Sequence, residues 1–61
     1  MLKGKEDFFK IYSGLPLEER NNVVVVVKEQ PISWNLAYQE IKNETKRGQQ
    51  ILNILKELGI I

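Results

Sequence analysis

Residues 22 to 31 read NVVVVVKEQP, and the five consecutive valines, Val23, Val24, Val25, Val26 and Val27, constrain this chain more than anything else in it. Five β-branched side chains in a row lose rotamer freedom in a helix but fit a pleated surface. Asn21-Asn22 before the run and Lys28-Glu29-Gln30-Pro31 after it are punctuation of the kind that bounds strands. The run is therefore predicted to be a strand. Such a strand needs a hydrogen-bonding neighbour, because unpaired buried amides cost free energy. Within the chain the candidate is Pro31-Ile32-Ser33, folding back across Lys28-Glu29-Gln30. A two-stranded hairpin alone is marginal in water. Valine at every position also makes both faces apolar, where a half-exposed strand would alternate. Helices can cover one face. The simplest cover for the other face, or for the edge, is another protein chain.

Length sharpens that expectation. The 61 residues suit one small domain, 1–61, and a domain of this size buries only about 60% of its unfolded surface. Disulfides, a structural metal or oligomerisation are the usual reinforcements. The chain has no cysteine and no histidine, which removes disulfides and the ordinary zinc and haem ligands together. Close packing or a second chain remains. The missing cysteine fits a cytoplasmic protein. The longest apolar run is the valines, so no membrane span is expected. The opening MLKGKEDFFK lacks an apolar leader and is read as part of the mature domain.

Helices are predicted on both sides of the valines. In KEDFFKIYSG, the residues Phe8, Ile11, Tyr12 and Leu15 fall at helical spacing, Glu6 and Asp7 suit the positive N-terminal end, and Gly14 suits the stop. Pro16 and two glutamates then favour a helical turn that ends at Asn21-Asn22. Ser33 is a good N-cap for WNLAYQEIK, whose Trp34, Ala37, Tyr38 and Ile41 share a face. Thr45 caps a last helix with Gly48, Ile51, Leu52, Leu55 and Leu58 on one side, and Gly59 and Ile60 fit a Schellman-type stop. The fold class read from these elements is α+β: an N-terminal helix, a valine strand or hairpin and two C-terminal helices. The alternative is all-α, with the valines helical or with Trp34, Tyr38, Ile41, Thr45, Gly48, Leu52 and Leu55 as the seam of one long helix. Gly48 lies on an apolar helical face, where glycine costs about 1 kcal/mol relative to alanine unless packing needs it. Another backbone or a large ring, Trp34 or Phe9, is expected to approach it closely.

Motifs of catalysis are missing. Glu6-Asp7 and Glu18-Glu19 are adjacent pairs that point in different directions on a helix, so neither is a ready acid/base or metal pair. Ser13, Ser33 and Thr45 have no histidine to activate them, and the four glycines form no phosphate-binding loop. No catalytic residue, cofactor, metal or small-molecule substrate is expected. The net charge of +1 gives no general attraction to nucleic acid. A local polar stripe does exist: Lys42, Lys46, Gln49, Asn53 and Lys56 recur at helical spacing without an acidic member, and such residues can touch phosphates and base edges. Helix-turn-helix is disfavoured because the turn Asn43-Glu44-Thr45 has no glycine.

The leading expectation is a small non-catalytic protein-interaction domain, acting as a homodimer or as an accessory subunit of a larger assembly. Val23 to Val27 form its surface needing cover, with Trp34 and Tyr38 as candidate anchors, since buried aromatics are enriched at interface hot spots. The rival is a nucleic-acid-binding module using Lys42, Lys46, Gln49, Asn53 and Lys56.

Overall fold

The computed structural model describes residues 4–61. Helix α1 (Lys5–Ser13) leads through a 3-10 turn (Glu19–Asn21) to strands β1 (Val23–Val27) and β2 (Gln30–Ser33), followed by helices α2 (Trp34–Lys42) and α3 (Lys46–Glu57). This is the α+β arrangement, with the valines as a strand and the C-terminal half as two helices. The first three residues of the opening segment lie outside the described residues.

β1 and β2 pair antiparallel, with Val25 opposite Ile32, Val26 opposite Pro31 and Val27 opposite Gln30. Lys28 and Glu29 make the two-residue turn, at φ 49° and 67°. Positive φ at both positions is the geometry of a type I′ hairpin turn, whose backbone twist matches that of the strands. Residues with a Cβ are strained there. Glu29→Gly is therefore expected to raise stability by about 0.5–1 kcal/mol, read as a higher urea midpoint.

A bulge between Val23 and Val25 decides which valines face inward. Val24 is the extra residue, half-buried against the core. Val25 and Val27 are each 6% exposed, whereas Val23 and Val26 remain 56% and 58% exposed. Five identical residues thus have three different environments.

The core is Phe8, Val25, Val27, Ile32, Ala37, Ile41, Ile51, Leu52 and Leu55, one or more from each main element. On α1 the face expected as Phe8, Ile11, Tyr12 and Leu15 is rotated. Phe8 is fully buried, Phe9 and Tyr12 pack against the core, and Ile11 and Leu15 stay half-buried outside it. The rotation brings Phe9 within 5.3 Å and Tyr12 within 4.4 Å of the Tyr38 ring, which aromatic packing favours.

α2 stops at Asn43 because Glu44 takes φ 53° and Thr45 is extended. Thr45 Oγ1 accepts the Gly48 amide at 2.9 Å and donates to the Glu40 carboxylate, so one hydroxyl caps α3 and ties it to α2. The break falls where it was expected, between Asn43 and Thr45, with the positive φ on Glu44. Lys5 Nζ pairs with the Glu44 carboxylate at 3.3 Å and holds that carboxyl below its usual range. A lowered folded value means that stabilisation is present above the unfolded carboxyl's titration and is lost as pH falls through the folded one. Lys5→Met is expected to lower the urea midpoint slightly at pH 7, and the difference from the parent chain is expected to vanish at acid pH, once Glu44 is protonated in both.

Gly48 meets another backbone, as expected, but not a ring. A Cβ there would lie 2.5 Å from the Glu40 carbonyl oxygen and 3.1 Å from the Ile41 Cα. At the far end, Gly59 (φ 76°) donates to the Lys56 carbonyl and Ile60 to the Leu55 carbonyl, the paired bonds of a Schellman stop. The helix ends before Leu58 can turn inward, and Leu58 is 63% exposed rather than part of the α3 core face.

Candidate interaction groove

The two strands of this sheet have one outer edge each, and the edges differ. A two-residue turn makes Val27 and Gln30 a hydrogen-bonded pair, so Val26 and Pro31 form the next, non-hydrogen-bonded pair. The backbone groups of that pair point outward, away from each other. On β2 the outward position is Pro31, which has no N–H, so that edge offers no donor there. On β1 it is Val26, whose N–H and C=O meet no partner among the described residues. One edge is closed and the other is open.

Alongside the open edge runs a groove walled by α3. Its first part, about 320 Å³, is lined by Val26, Val27, Lys28, Gln50, Asn53 and Ile54. It continues past the hairpin tip into a second part of about 480 Å³, lined by Val27, Lys28, Gln30, Lys46, Arg47 and Gln50. The first part is predominantly apolar. The second carries three cations and no carboxylate among its lining residues. Lys46 and Arg47 sit in the first turn of α3, where the helix dipole already places positive charge. An incoming carboxylate or phosphate would therefore be favoured at that end.

The groove joins the two expected sites in part. Val26 and Val27 line it beside Lys46 and Asn53 of the polar stripe. Lys42 does not reach it: the break after α2 leaves Lys42 on the other helix, with its ammonium 5.8 Å from the Tyr38 ring. Gln49 and Lys56 also lie outside the lining, and Gln49 donates to Asn53 at 2.8 Å. Val25 is enclosed in the chain's own core, as is the Val27 side chain apart from what it shows to the groove. Val23 is exposed at the start of the strand.

No protein-family model, curated protein or solved structure matches this chain.

Trp34 and Tyr38 lie in an intramolecular aromatic cluster. Trp34 sits 5.8 Å from Phe8, and Tyr38 is stacked on Tyr12. Arg20 covers Tyr12 with its guanidinium 4.4 Å from the ring centre and donates to the Tyr12 carbonyl at 3.3 Å. Tyr12 also donates to Asn35 at 2.7 Å, and Asn35 to Asn21 at 2.8 Å. These contacts fasten the 3-10 turn to α1 and α2, and so fix where β1 begins. Both aromatics therefore work within the fold, and neither lines the groove.

Sequence reading missed Lys28, Gln30, Arg47, Gln50 and Ile54 as groove residues. Positions 46, 47, 50, 53 and 54 do share one side of a helix, which was a signal in the spacing. The chance to use it depended on knowing that the hairpin tip reaches α3. Among the described residues no group of three His, Cys, Asp or Glu is placed to hold a metal, and no helix is long and apolar enough to cross a membrane.

Proposed function

We propose that this chain is a small non-catalytic protein-interaction domain that accepts an added strand along β1, as a homodimer or as an accessory subunit of a larger assembly. The observation that carries the reading is the open Val26 backbone beside an apolar groove, on a sheet whose other edge is closed by Pro31. Strand addition supplies affinity through main-chain hydrogen bonds and specificity through the pockets beside them. It also relieves a two-stranded sheet of its marginal standing in water. With no cysteine to oxidise, we place this activity in the reducing cytoplasm.

The test uses a peptide of sequence NNVVVVVKEQ titrated into isotope-labelled protein held below the onset of any self-association. Amide shifts are expected at Val26, Lys28, Gln50, Asn53 and Ile54. No shifts at millimolar peptide, or shifts confined to the aromatic cluster, would overturn the reading.

A second reading, nucleic-acid binding, is supported by the cationic end of the groove, where Lys28, Lys46 and Arg47 gather without a lining carboxylate. Three cations neutralise about three phosphates per chain, so binding to short DNA is expected to be weaker than roughly 10 μM at physiological salt. A sub-micromolar, salt-sensitive complex lost on Lys46→Glu and Arg47→Glu would put this reading first.

A further inference from the structure

We infer that the strand added to β1 is the β1 of a second copy, antiparallel about a two-fold axis near Val26, with Glu18 and Glu19 of each copy seated at the cationic groove end of the other. This rests on the strand-addition reading above and names its occupant.

Three features point to the same partner. First, a two-fold contact requires a surface that complements itself. β1 is valine throughout, so reversing its direction against a copy still sets valine against valine along the strand. Second, Val26 has both a donor and an acceptor directed outward. With Val26 facing its own copy across the axis, each N–H meets the other C=O, and both are satisfied at once. Third, the charges match. In antiparallel pairing, the residues that precede one β1 lie beyond the tip of the other hairpin. The tip and the groove under it present Lys28, Lys46 and Arg47. The segment leading into β1 carries the exposed Glu18, just before the 3-10 turn, and the exposed Glu19 at its start, while Arg20 in that turn is folded onto Tyr12. Each copy thus offers two carboxylates where the other gathers three cations, and symmetry repeats the contact.

Seating an anion there also removes a conflict within the chain. Lys46 and Arg47 oppose the dipole of their own helix, and a carboxylate beside them offsets that repulsion. The apolar stretch around Val26 would hold the two copies together, and the charged ends would set register and direction.

Light scattering over a concentration series tests the proposal. The 7.1 kDa chain is expected to rise towards twice its mass, and added salt to weaken the association. Two charge-reversed variants complete the test: Glu18→Lys with Glu19→Lys, and Lys46→Glu with Arg47→Glu. Each alone brings like charges together at both contacts, and its self-association is expected to fall about tenfold or more. An equimolar mixture restores opposite charges at both contacts, and is expected to recover the dimer. Circular dichroism of each variant separates lost association from lost folding, and Glu18→Gln with Glu19→Gln gives a milder version of the first. Variants that dimerise like the parent chain would overturn the proposal, as would folded variants whose mixture stays monomeric. A parent chain that stays monomeric throughout would also overturn it, while shifts from the peptide along β1 would leave strand addition itself standing.

Discussion

A Gly48→Leu variant is expected to give the circular dichroism of an unfolded chain, and Gly48→Ala to lose about 2–3 kcal/mol in urea denaturation. The cause is backbone, and it does not yield readily. The added Cβ would sit 2.5 Å from the Glu40 carbonyl oxygen and 2.8 Å from its carbon. That same carbonyl accepts the Thr45 amide at 3.1 Å, and Thr45 caps α3, so moving Glu40 away breaks the joint between the helices. A 61-residue domain typically has about 3–9 kcal/mol of stability in all, so the alanine variant loses much of it and leucine the rest. A Gly48→Ala chain as stable as the parent would show that α2 and α3 separate at little cost.

The second large effect contrasts two neighbouring valines. Val25→Lys is expected to unfold the chain, because it puts an ammonium among Ile32 and the rest of the core, at a cost above about 4 kcal/mol. Val26→Lys changes an exposed side chain and is expected to cost the fold less than about 1 kcal/mol. It should nevertheless abolish strand addition, since two such strands would bring lysines face to face. Thermal unfolding separates the folded from the unfolded variant, and light scattering reads the association. If Val26→Lys unfolded the chain as well, the outer valine would be part of the core and the open edge would lose its meaning.

How far the residues announced this outcome differs from element to element. The strand was legible in Val23 to Val27, and its partner in Pro31 to Ser33, because β-branching and punctuation act locally. The caps at Ser33 and Thr45 and the stop at Gly59 were legible for the same reason: each is one side chain, or the lack of one, acting on the nearest backbone amides and carbonyls. Gly48 was legible as an unexplained cost on an apolar face. The bulge at Val24 was not, because identical neighbours leave no pattern from which to read a change of register. Positive φ at Lys28, Glu29 and Glu44 was hidden too, since these types carry no preference for it and the surrounding fold imposes it. The groove was the least legible. It depends on the hairpin tip reaching the start of α3, a meeting of residues 28 and 47 that no local rule encodes.

Pro31 has a consequence for how far assembly can go. An exposed valine strand is an obvious template for fibrils, because each chain that docks can present a fresh edge to the next. In the dimer we propose, the strand that docks brings β2 with it as the new border of the sheet, and that border lacks a donor at Pro31. Pairing along β1 would use up the open edge of this sheet on each chain. Growth would then stop at two molecules: a four-stranded sheet with a proline on each rim would offer a third no edge ready to receive it.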